Sequence, residues 1–112
     1  MTGKFPRRGE VFWVSLDPYV GSETKKTRPC LVVSNDKGNE NSGTVIVAPI
    51  TSKVKKIYSF EVGVCVAGKA GKIMLNQCRV IDKSRMGKRE CSLDGDVMER
   101  VDEALKIVFA LS

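Results

Sequence analysis

No histidine occurs anywhere in the 112 residues. That removes the side chain most often used as a general base near neutral pH, and the commonest metal ligand. No C-x-x-C pair is present either: Cys30, Cys65, Cys78 and Cys91 are separated by 35, 13 and 13 residues. A structural zinc site therefore lacks both its imidazoles and its ligand spacing. A catalytic cysteine would lack its usual histidine base. Cys30 and Cys78 sit inside apolar, strand-like runs, so the expectation is mostly buried, reduced thiols that pack as small hydrophobes. No apolar run approaches the roughly 18 residues that span a bilayer. The start, Met1-Thr2-Gly3-Lys4-Phe5-Pro6-Arg7-Arg8, has no apolar stretch behind its charges and does not read as a secretory signal. A cytoplasmic protein is expected. Also missing are a Gly-rich phosphate loop after a strand, G-x-S-x-G and H-E-x-x-H, and the enzyme classes built on them lose support.

What is present is ordinary in bulk and uneven in detail. Apolar residues make up 42% and charged residues 29%, as in soluble globular chains. The length suits a single domain, expected over residues 1–112. Net charge is +6. Residues 94–112 hold five acids and two bases, net −3, which leaves 17 bases and 8 acids, net +9, in residues 1–93. Such a body attracts polyanions or acidic proteins, or is simply a lysine-rich solvated surface.

Runs rich in β-branched or aromatic residues alternate with turn residues. They are Val11 to Leu16, Cys30 to Ser34, Thr44 to Ile50, Tyr58 to Val62, Lys72 to Gln77, Cys78 to Asp82 and Lys88 to Ser92. Asn35 to Asn39 and Gly68 to Gly71 read as turns. Lys72 to Asp82 reads as one strand or two. In the tail, Val97, Met98, Val101, Ala104, Leu105, Val108 and Phe109 recur at helical spacing. Ser92 or Asp94 suits the cap of a helix from about Asp96 to Leu111, roughly 24 Å long at 1.5 Å per residue. Many short strands followed by one amphipathic helix predict a mostly β fold: a curved, antiparallel sheet closing into a small barrel, with the helix packed on it.

Two features carry candidate chemistry. Arg28 precedes Pro29, which pushes it into extended backbone at the start of a strand. Its planar fork of donors suits a phosphate, although an isolated strand-end arginine more often pairs with a surface acid. Thr51 and Ser52 close the strand that contains Ala48-Pro49-Ile50, followed by Lys53, Lys55 and Lys56. Adjacent hydroxyls there can hold a phosphate or a base edge, or simply cap a turn.

Taken together, these pieces resemble one family. Arg8-Gly9-Glu10-Val11-Phe12-Trp13-Val14, Leu16-Asp17-Pro18, Val20-Gly21-Ser22-Glu23, Lys26-Thr27-Arg28-Pro29-Cys30-Leu31-Val32-Val33-Ser34-Asn35-Asp36 and Val45-Ile46-Val47-Ala48-Pro49-Ile50-Thr51 occur in order. Leu75-Asn76-Gln77-Cys78-Arg79-Val80-Ile81-Asp82-Lys83-Ser84-Arg85 and the helical Val101-Asp102-Glu103-Ala104-Leu105 follow. Over roughly residues 7 to 111 the chain resembles the MazF/PemK toxin ribonucleases. The resemblance implies an SH3-like barrel, a homodimer, and sequence-selective, metal-independent cleavage of single-stranded RNA without a cofactor. It also implies an acidic antitoxin whose disordered tail folds over the toxin. The catalytic pair it implies is Arg28 with Thr51. The loop from Asp17 to Thr27 would border the RNA channel, with Glu23 matching an acid of that loop and a possible base. Part of the PemK branch uses an aspartate where this chain has Asn76, and a histidine in the first loop that is missing here. The arginine–threonine mechanism carries over and that one does not.

On this reading Lys25, Lys26, Lys53, Lys55 and Lys56 attract the RNA backbone, and Ser52 joins Thr51 at the phosphate. Tyr19 is a stacking platform for an unpaired base, or a loop tyrosine covering the barrel edge. Gln77 contacts a base through its amide, or satisfies a strand end. Trp13 is expected in core or dimer packing. Two rivals remain: a non-catalytic gyrase poison on the same fold, like CcdB, and an SH3-like adaptor that binds nucleic acid or acidic peptides.

Overall fold

Punctuation by turn residues fixes where the strands stop. The computed structural model describes residues 4–16 and 27–112. In chain order its elements are β1 (Glu10–Ser15), β2 (Thr27–Val32), α1 (Asp36–Asn41), β3 (Thr44–Thr51), β4 (Glu61–Val66), β5 (Lys69–Met74), β6 (Arg79–Asp82), β7 (Met86–Ser92) and α2 (Gly95–Phe109). Every strand pairing among the described residues is antiparallel. The order is β4-β5-β3-β2-β1-β7, with β6 also on β3. The result is a curved half-barrel with a C-terminal helix, as the alternation of short strands predicts.

β3 is the hub. Its first half pairs with β6 (Thr44 opposite Asp82 to Val47 opposite Arg79), and its last two residues pair with β5. Between them, Val32 to Cys30 of β2 face Val47 to Pro49. β2 is central and buried on both faces: Cys30, Leu31 and Val32 are all inaccessible. Strand alternation sends Leu31 into one apolar cluster, with Val11, Ile50, Ile73, Leu75 and Val101. Cys30 and Val32 go to a second, with Val14, Val45, Val47 and Ile81.

α2 covers the first cluster with Val101 and Ala104, flanked by Val97, Met98, Leu105 and Val108. Asp94 is its cap: the carboxylate accepts from the Val97 N–H at 3.1 Å. The chain leaves the helix at Ala110 in a left-handed conformation, φ 57°. Phe109, the last helical residue, lies roughly 100° round the helix from Val108, off the buried stripe, and is exposed.

Three local expectations are corrected. Asn35 to Asn39 is not a plain turn: the Asn35 side chain caps α1 by accepting from the Gly38 N–H at 2.7 Å. Tyr58 to Phe60 does not extend β4. The Glu61 N–H donates to the Tyr58 carbonyl at 2.9 Å and closes a turn there. The hairpin tip is Ala67-Gly68, both at positive φ, the geometry of a two-residue hairpin loop. Lys69 to Gly71 therefore belong to β5. The stretch from Lys72 to Asp82 forms two strands, separated by a single 3-10 turn at Leu75–Gln77.

Candidate active site

Arg28 is held by its neighbours on both sides. Its backbone pairs with Val14 of β1, and Pro29 pairs with Trp13. The proline ring fixes φ, which keeps the preceding arginine extended. Beneath it the Cys30 thiol donates to the Arg28 carbonyl at 3.7 Å. Burial pushes that thiol up to about 12, against the opposing pull of Arg28 and Arg79. It is uncharged at neutral pH and is no nucleophile. Among the other cysteines, Cys78 and Cys91 are half-buried. Cys65 is exposed on the edge strand β4, against the expectation of burial.

Thr51 ends β3, where β5 begins to pair with it. Its Oγ1 accepts from the Lys53 N–H at 3.2 Å, so its own hydrogen is available to donate outward. A Cβ built on Gly71 of β5 would lie 2.7 Å from the Thr51 carbonyl oxygen. The absence of a side chain at 71 is what lets β5 approach Thr51 this closely.

These strand ends open onto one cleft of about 520 Å³. Arg28, Thr51, Ser52, Lys53 and Lys69 line it, with Trp13 among the wall residues. Its described lining holds three cations and no carboxylate. Arginine, lysine and hydroxyl groups are hydrogen-bond donors to anions rather than metal ligands. Among the described residues no three His, Cys, Asp or Glu side chains gather as a ligand set.

Of the residues singled out in the sequence, the structure brings Arg28, Thr51, Ser52 and Lys53 to this cleft. Lys55 and Lys56 are exposed on the segment between β3 and β4 and do not line it. Gln77 is exposed on the 3-10 turn after β5, also outside the lining. Asp17, Tyr19, Glu23, Lys25 and Lys26 lie outside the described residues. Trp13 is not in the core. It is half-buried in the cleft wall, and its indole N–H donates to Glu90 of β7 at 2.9 Å. Lys69 was missed: its sequence context is a hairpin, and only the β3–β5 pairing folds that hairpin over the cleft. No described helix is long and apolar enough to cross a membrane.

A family model for the PemK-like, MazF-like toxins of type II toxin–antitoxin systems matches residues 7–109. The chain belongs to this family. It is 40% identical to the endoribonuclease EndoA of Bacillus subtilis (strain 168), an alignment covering 94% of this chain and 95% of that protein. The MazE–MazF structure from Deinococcus radiodurans superposes with a TM-score of 0.83 at 29% identity, covering 98% of this chain and all of that one. A mycobacterial endoribonuclease solved with its cognate antitoxin gives a TM-score of 0.81 at 19% identity, over 96% of this chain and 97% of that one. At that identity the likeness establishes the shared fold alone. A half-barrel with a terminal helix is thus the architecture of PemK/MazF toxins, as the strand pattern anticipated.

Proposed function

We propose that this chain is the toxin of a type II toxin–antitoxin pair and an endoribonuclease that cuts single-stranded RNA at selected sequences without a metal. The observation that carries this reading is the meeting of Arg28 and Thr51, from different strands, in one cleft whose described lining has cations and no carboxylate. The names of its relatives support the reaction class.

In the proposed reaction the ribose 2′-oxygen attacks the adjacent phosphorus as its proton passes to a base. The bond to the 5′-oxygen breaks, and that oxygen takes up a proton. The products are a 2′,3′-cyclic phosphate and a 5′-hydroxyl. Arg28 binds the non-bridging oxygens and stabilises the charge that accumulates in the pentacoordinate state. Thr51 donates a further hydrogen bond and aligns the phosphate. Lys53 and Lys69 hold flanking phosphates by charge. A guanidinium pKa above about 12 makes Arg28 a poor base. Glu23 is the candidate for that role, with the substrate itself as the alternative.

The chain is further proposed to work in the cytoplasm as a single domain and a homodimer. Its basic body, net +9 over residues 1–93, suits an acidic, partly disordered antitoxin that adds its chain to the toxin surface. Purified protein incubated with long RNA in EDTA should yield fragments with cyclic phosphate and 5′-hydroxyl ends. Intact RNA with tight binding would instead favour the adaptor reading.

A further inference from the structure

Lys72 of β5 lies directly across from Thr51 in the β3–β5 pairing. Its side chain is only 12% exposed, and that of Glu61 only 7%. Lys72 Nζ sits 2.9 Å from Glu61 Oε1. It also donates to the Lys56 carbonyl at 2.7 Å. The same Glu61 oxygen accepts from the Tyr58 N–H at 3.0 Å. The Tyr58 ring lies 5.6 Å from Lys72 Nζ and 4.9 Å from Lys56 Nζ, and stacks on Phe60 with centroids 5.4 Å apart. Burial raises the Glu61 carboxyl, but the hydrogen bonds and charge of Lys72 and the Tyr58 N–H outweigh it and hold the group below its ordinary value.

One ammonium thus ties the segment between β3 and β4 to the sheet. A nearly buried ion pair is a weak device for stability alone, since apolar groups of similar shape pack as well. Its strength is in fixing one arrangement, because a bond left unmade there strands a charge. The arrangement fixed here is that of the segment carrying Lys53, Lys55 and Lys56.

We propose that Lys72 is a positioning residue for RNA binding. It holds the three lysines of segment 53–56 as an ordered cationic array continuous with the Arg28–Thr51 cleft, along which the phosphates next to the cut bond lie. The proposal rests on the RNA-cleaving reading. Without Lys72 the Lys56 carbonyl loses its donor, and Glu61, which keeps the Tyr58 N–H, loses its counter-ion. The lysines then disperse into solvent, and fewer of them meet phosphate at once.

The test is the affinity for an uncleavable 2′-O-methyl RNA oligonucleotide between about 50 and 300 mM salt, from about one-third of to about twice physiological ionic strength. Each phosphate contact contributes about −0.7 to the salt slope on a single strand. Lys72→Met should bind about 5–20-fold more weakly at the low-salt end, with the slope shallower by about 1–2. Lys72→Arg, which keeps donors for Glu61 and the Lys56 carbonyl, should restore most of both. Cleavage at saturating RNA should stay within about twofold of the parent protein. Should Lys72→Met fail to fold, Glu61→Gln is expected to move affinity and slope in the same direction. Unchanged affinity and slope in a folded variant, with a parent protein that binds and cuts RNA, would overturn the positioning role alone. A parent protein that neither binds nor cuts RNA would overturn the function beneath it.

Discussion

Arg28→Ala should lose RNA cleavage by a factor of about 10²–10³ or more while remaining folded. One preorganised donor aimed at developing charge is worth about that much, and a charged donor on a pentacoordinate phosphate belongs at the upper end. The fold has little reason to fail. The bonds that hold position 28 in place are made by its backbone: the pairing with Val14 and the Cys30 thiol on its carbonyl. Neither needs the guanidinium. The side chain is partly exposed in the cleft rather than packed in either apolar cluster. Truncation there should shift stability by only about 0.5 kcal/mol, the range of ordinary surface changes. Single-turnover cleavage and thermal unfolding of the same preparation check both halves. Near-parental cleavage by a folded variant would remove Arg28 from the site.

Gly71→Ala should do the reverse, costing stability and activity together. An added Cβ would stand 2.7 Å from the Thr51 carbonyl oxygen and 3.3 Å from Ile50 Cγ2. The first contact is with backbone, so a strand must move. The β3–β5 ladder is only two residue pairs long, Ile50 with Ile73 and Thr51 with Lys72, so little resists that movement. Overpacking of this kind costs about 1–3 kcal/mol. Since the atom displaced belongs to Thr51, cleavage should fall more than about tenfold even where the variant is fully folded, as misplacement near 1 Å can cost about 10²-fold. Denaturant unfolding and cleavage well below the transition separate the two effects. Parental values of both would mean that β5 does not set the position of Thr51.

How much of this was legible in the sequence follows from the range of the interactions. The Arg28-Pro29 step is a local constraint, and it correctly placed an arginine at a strand start. The hydroxyl pair at Thr51-Ser52 correctly marked a strand end. The helix face was read well from Val97 to Val108, where packing has the helical period. Phe109 has the right spacing from Leu105 but sits off the stripe of Val101, Ala104 and Val108, and is exposed. The rest was invisible because it depends on non-local register. Nothing near Lys69 or Lys72 says that β5 will pair with β3 as well as with β4, yet that pairing brings one into the cleft and the other beside Thr51. Tyr58 to Val62 alternates like a strand. The Glu61 carboxylate and N–H both bond to the Tyr58 backbone and bend it into a turn. The apolar run around Trp13 suggests core or dimer packing; its side chain lies outside both apolar clusters, in the cleft wall.

In the proposed reaction Arg28 and Thr51 act on one phosphate. A double-mutant cycle of cleavage rates for Arg28→Ala, Thr51→Val and their combination, in EDTA on one RNA of known cut site, tests it most directly. Residues that act as a unit lose their effects non-additively. The combined variant should be little slower than Arg28→Ala alone. Losses that multiply, as for independent sites, would contradict it.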